Sequence, residues 1–157
     1  MHLKRPHELV RPLLGSPGTG IPMRTFVTIR THFSAAHRLY RLDWTDERNA
    51  EVFGACANPN GHGHNYELEV TVEGPVDQGT GMILDMKALK SIIAEEIILR
   101  VDHKHLNLDV PFLKDLIPTA ENLALAFWKV LEPKIPAGRL HEIRLQETER
   151  NVAVVRR

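Results

Sequence analysis

Two hydrophobic rhythms run along the chain. Over "TFVTIRTHFSAAH", Val27, Ile29, Phe33 and Ala35, with Thr31 and His37 in step, fall on one side. Period two predicts a strand with one face on a core. The same period returns after His62: His64, Tyr66, Leu68, Val70 and Val72 oppose Glu67, Glu69, Thr71 and Glu73. The rhythm then changes. "DMKALKSIIAEEIILRV" sets Leu89, Ile92, Ile93 and Ile97 at helical spacing behind Asp85 as N-cap, and "TAENLALAFWKVLEPK" does so behind Thr119, with Pro133 near its end. After an "IPAG" turn, "RLHEIRLQETE" and "NVAVVRR" predict a closing hairpin of two strands.

The segments between are polar or rich in turn formers. Residues 1–23, with many prolines and glycines, predict a flexible N-terminal arm, leaving 24–157 as a single domain. In the connection from Arg38 to Asn60, "TDERNAEVF" predicts a short helix capped by Thr45. "DHKHLNLDVPFLKDLIP" reads as a loop. The order ββααββ predicts an α+β fold: a four-stranded antiparallel sheet with two helices on one face.

Composition narrows the class. Twenty basic and twenty acidic residues cancel, so no net field favours nucleic acid or an anionic membrane. The apolar runs are too short to cross a bilayer, and the first residues lack the apolar stretch of a secretory signal. A single cysteine excludes an internal disulfide and fits a reducing, cytoplasmic setting.

The candidate chemistry gathers around "CANPNGHGHNY", Cys56 to Tyr66. His62 and His64 point to the same face of their strand, and Gly63 between them allows a close approach. His37 ends the other strand on its apolar side. If the two strands meet, three imidazoles converge with a fourth position open, the pattern of a catalytic zinc site, although imidazole also suits copper, iron and nickel. A lone histidine is most often an ordinary polar residue at a strand end. A pair on an apolar face needs dedicated partners for both rings. Cys56 reads as a small buried hydrophobe, as a thiolate acting as base or nucleophile, or as a fourth ligand closing the site. Asp102 directly before His103 suggests an oriented imidazole, with His105 as a competitor. Glu147 follows Ile143 and Leu145 inward, and a buried carboxylate needs an arginine or a ligand with an amidine-like edge. Glu121 favours a helix N-terminus.

"FSAAHRLY", "CANPNGHGHNY", "GMILDMKALK", "VDHKHLN", "PTAENLA" and "LQETERNVAVV" occur in the order found in 6-pyruvoyl-tetrahydropterin synthases, and the chain resembles that family from about Thr25 to Val155. The resemblance implies the tunnelling fold, with subunits joined into a trimeric barrel and two trimers stacked as a homohexamer. It implies zinc on His37, His62 and His64, and Cys56 as catalytic thiol. Asp102 and His103 would serve as proton relay from a neighbouring subunit. Glu147 would anchor the pterin with help from Thr119, Ala120 and Glu121. The implied reaction is a lyase step of tetrahydrobiopterin biosynthesis. It converts 7,8-dihydroneopterin triphosphate to 6-pyruvoyl-tetrahydropterin, eliminating triphosphate without an external redox cofactor.

Related 6-carboxytetrahydropterin synthases of queuosine biosynthesis share substrate and metal but release acetaldehyde. Their cysteine stands closer to His-Gly-His. Here five residues, Ala57 to Gly61, intervene, which favours the pyruvoyl product. A third branch, which makes a folate precursor, carries glutamate near the cysteine position; Cys56 argues against it. Ala120 and His105 depart from the usual threonine and asparagine. The non-enzymatic alternative is a pterin-binding or zinc-stabilised structural module, against which the intact Cys56, Asp102 and His103 argue.

Overall fold

The structure, a computed structural model, describes residues 23–157; the arm expected over 1–23 lies, except for Met23, outside the described residues. The chain runs β1 (Phe26–His37), α1 (Asp46–Phe53), β2 (His62–Glu73), α2 (Met86–Ile93), α3 (Leu99–Val101), β3 (Lys104–His105), α4 (Ala120–Leu131), β4 (Arg139–Thr148) and β5 (Asn151–Arg156). The three N-caps form as the sequence predicts. Thr45 accepts from the Arg48 N–H, Asp85 from Lys87 and Thr119 from Asn122. Each side-chain oxygen satisfies an amide that the first helical turn leaves unpaired.

The sheet order is β3-β1-β2-β4-β5. The four long strands pair antiparallel as expected. The sheet is nevertheless five-stranded and mixed: β3 runs parallel to β1, pairing Ala35 with Lys104 and Ala36 with His105. The expected loop therefore contains a strand. Its hold is backbone bonding, with His103 N donating to Ser34 O and Leu106 N to Ala36 O, both at 2.7 Å. Two residues are too few to show any periodicity. The short helix predicted behind Thr45 forms as α1, a third helical element beside the expected pair, and the first helix of that pair widens into a π-helical turn at Ala94–Ile98 between α2 and α3.

One sheet face is apolar and carries α2, α3 and α4. Phe33 stacks on Tyr66 (4.7 Å between centroids) and meets Phe127 of α4 edge-on at 5.9 Å. Leu68, Val70, Ile143 and Leu145 continue this layer against Leu89, Ile93, Ile97 and Leu131. Each such side chain contributes roughly 1.5–3 kcal/mol by leaving water. The opposite face is polar, with Glu69 between Arg30 (2.8 Å) and Arg144 (3.4 Å). At the sheet's far end the Arg24 guanidinium, aided by Arg139, draws the Glu73 carboxyl down to about 2. Among the described residues no helix is long and apolar enough to cross a membrane.

Candidate metal centre and its surroundings

The antiparallel register of β1 and β2 pairs His37 with His62 and Ala35 with His64. A sequence pattern alone leaves open whether these strands meet; the pairing brings all three imidazoles to one strand end. Their ligand atoms lie within 4.8 Å of one another. His37 Nε2 and His62 Nε2 are 3.1 Å apart. Two ligands about 2.0–2.1 Å from one tetrahedral zinc stand roughly 3.3 Å apart, so this spacing fits a shared ion.

The tautomer of His37 follows from its partner. Nδ1 lies 2.8 Å from the Pro118 carbonyl oxygen, which only accepts, so Nδ1 carries the proton and Nε2 turns its lone pair to the cluster. The Tyr66 hydroxyl sits 3.3 Å from the same Nδ1. A metal-ligating histidine typically has its other nitrogen held in this way. Burial, above all, pushes the His37 imidazole down to about 4, and burial also lowers His64. Both therefore stay neutral, as ligands must. Among the described residues, the buried Nδ1 of His62 has no hydrogen-bond partner. Leaving a buried polar atom unpaired costs stability, and such exceptions are expected where function overrides packing.

Glu147 lies beside the cluster. The β4–β5 register slips between Gln146 and Thr148, leaving Glu147 as the extra residue of a bulge, a device that re-aims a side chain. Its Oε1 is 3.7 Å from His37 Nε2 and 3.9 Å from His64 Nε2. Among the described residues no arginine pairs with it, so the structural-arginine explanation fails. Tyr66 is fully buried, and burial pushes its phenol up, reinforced by the charges of Glu147 and Cys56.

Cys56 is half-buried in the turn Gly54–Ala57 that precedes β2. It lies outside the group of converging ligand atoms, so among the described residues it does not close the metal site. Asp102 and His103 stand apart from the three histidines. Asp102 accepts the Ser34 N–H at 2.9 Å and, through its other oxygen, the His103 Nδ1–H at 2.9 Å. The Ser34 amide first and the His103 ring second hold its carboxyl below the ordinary range. The His103 ring is exposed and leaves Nε2 free. A cleft of about 480 Å³ is lined by His64 and His103, with Ser34, Gly63 and Asn65 between them.

Asp102 holds the ring of His103, whereas the His105 ring lies against Gly61. Its Nε2 would sit 3.0 Å from a Cβ at Gly61, whose φ of +69° and close neighbours require glycine. Thr119 is spent on capping α4, Ala120 packs at the core edge and Glu121 is exposed. Sequence reasoning missed the Pro118 carbonyl, which side-chain identity cannot encode, and the hydroxyl of Tyr66. Alternation places Tyr66 on the apolar face and so marks it only as core.

Residues 26–157 match the family model described as 6-pyruvoyl tetrahydropterin synthase. The chain belongs to the 6-pyruvoyl tetrahydropterin synthase family. A protein of Poecilia reticulata named 6-pyruvoyl tetrahydrobiopterin synthase is 47% identical over 131 residues, covering 83% of this chain and 89% of the relative. One of the same name from Pongo abelii is 43% identical over 141 residues, 90% and 97%. The solved 6-pyruvoyl tetrahydropterin synthase of Caenorhabditis elegans superposes with a TM-score of 0.81 at 34% identity, covering 86% of this chain and 96% of that one. The matched span includes every synthase-like residue described above, from His37 to Glu147.

Proposed function

We propose that the protein is a zinc-dependent, cytoplasmic 6-pyruvoyl-tetrahydropterin synthase. It takes 7,8-dihydroneopterin triphosphate to 6-pyruvoyl-tetrahydropterin with loss of triphosphate. The convergence of three imidazoles beside a carboxylate that no arginine pairs among the described residues carries this reading. Relatives named for this activity, at 42% identity and above over most of the chain, support it.

His37, His62 and His64 would hold the ion. Bound there, zinc supplies Lewis acidity that makes the C–H bonds beside the substrate's side-chain hydroxyls more acidic. Glu147 accepts the paired N–H edge of the pterin, a charge-assisted contact that fixes the ring. The Thr119–Glu121 segment would help hold the ring; its attachment to the site through the Pro118–His37 bond supports this reading. Cys56 as thiolate removes a proton, and His103 Nε2, with its ring oriented by Asp102, moves the second. The electron pair released at carbon expels triphosphate, and tautomerisation oxidises the side chain while reducing the ring.

The exposed His103 suits a relay completed between subunits, and the open edges of β3 and β5 suit strand pairing into a trimeric barrel and a homohexamer. Five residues between Cys56 and His62 favour the pyruvoyl over the carboxy product. Chelating the metal and restoring zinc is the direct test. Triphosphate release should vanish and return; release unaffected by chelation contradicts the zinc dependence.

A further inference from the structure

The chain directly after His37 makes contacts that the reaction above does not use. The Asn107 side chain acts as a surrogate strand partner for Arg38, accepting its N–H at 2.8 Å and donating to its carbonyl at 2.9 Å. Asn49, itself buried, does the same for Arg41 at 2.8 and 3.0 Å. The backbone of 38–41 is thus clamped at both ends. From this clamped stretch two bonds reach the turn that carries Cys56. Leu39 N donates to the Cys56 carbonyl at 2.9 Å, and Arg38 Nε donates to the Ala57 carbonyl at 2.8 Å.

The Arg38 guanidinium lies in the crevice between α1 and that turn, 4.3 Å from the Tyr40 ring centroid. Its side chain is 18% exposed, and its only carboxylate neighbour among the described residues, Asp46, is 3.5 Å away and almost fully exposed. A largely buried cation whose shortest polar contact is a neutral carbonyl is a poor stabilising device. It does, however, fix geometry.

We infer that Arg38 is a positioning residue for Cys56, tethering the thiol-bearing turn to the strand that ends in the metal ligand His37. This rests on Cys56 being the proton-transferring thiol. His37, Arg38 and Leu39 are consecutive, so one short stretch sets the thiol and a metal ligand relative to each other. Loosening it should slow the chemistry and leave metal and substrate binding alone.

Arg38→Met keeps the apolar stem and removes the donor; Arg38→Lys keeps a donor. Both are measured as full chains for zinc content, for kcat and KM of triphosphate release, and for the rate of Cys56 alkylation by iodoacetamide at fixed pH. Cys56 is the sole cysteine, so alkylation reports on it alone. A displacement of a reacting group by an ångström can cost up to about a hundredfold in rate. Arg38→Met should therefore lose about tenfold or more in kcat, keep KM within about twofold and change the alkylation rate about threefold or more. Its zinc content should be unchanged, and Arg38→Lys should recover most of kcat. Wild-type kcat with wild-type alkylation overturns the inference, as does zinc loss parallel to the loss of rate. A changed alkylation rate with unchanged kcat keeps the tether but refutes Cys56 as the catalytic thiol. If Arg38→Met does not fold, Arg38→Gln, too short to span the gap, is read in the same way.

Discussion

His37 on β1 donates its Nδ1–H to the carbonyl oxygen of Pro118 at 2.8 Å. One bond thereby joins the strand that carries His37 of the histidine cluster to the residue that leads into α4. It fixes the ring's tautomer and explains how a histidine that is 1% exposed can stay neutral and still be satisfied.

This burial has a pH consequence. In the unfolded chain the imidazole takes up a proton near its ordinary 6.5, whereas in the folded protein it resists until about 4. Between those values the unfolded state binds more protons. The stability His37 contributes is therefore full above 6.5 and is lost as pH falls toward 4. Melting temperatures of metal-free protein should decline across this window, and more steeply than those of His37→Gln. Equal slopes contradict the assignment.

Cys56 lies outside the ligand group, so Cys56→Ala should retain zinc and assembly. Loss of a positioned acid–base group should lower kcat about 10²- to 10⁴-fold. Stopped assays with parallel elemental analysis check this, and a near-wild-type rate counts against the thiol's role.

His62→Ala leaves two imidazoles, fewer than the three protein ligands of an open zinc site. Zinc per subunit should drop after dialysis. Unchanged stoichiometry rejects the ligand set.

Glu147→Gln tests the pterin anchor. The amide keeps the shape but loses the charge, and charged hydrogen bonds are worth about 1.5–3 kcal/mol, or about ten- to a hundredfold in affinity. KM should rise accordingly with zinc retained, whereas metal loss would place Glu147 among the ligands.

Much of this was legible in the sequence because it is local. Period two exposed β1 and β2, and Thr45, Asp85 and Thr119 announced their helices. His62 and His64 declared a shared face. What could not be read was non-local. The pairing of His37 with His62 depends on register across 25 residues. β3 has two residues and no pattern, and its parallel pairing depends on the carbonyls of Ser34 and Ala36. The π-helical turn interrupts an unbroken helical pattern without a proline or glycine to mark it. Arg38 looked like one polar residue in a motif until its bond to the Ala57 carbonyl gave it a role.

The most direct test of the account is product analysis by mass spectrometry after incubating the zinc-loaded protein with 7,8-dihydroneopterin triphosphate. The account predicts free triphosphate with 6-pyruvoyl-tetrahydropterin as the organic product. Acetaldehyde with the carboxy pterin, or substrate recovered unchanged, would contradict it.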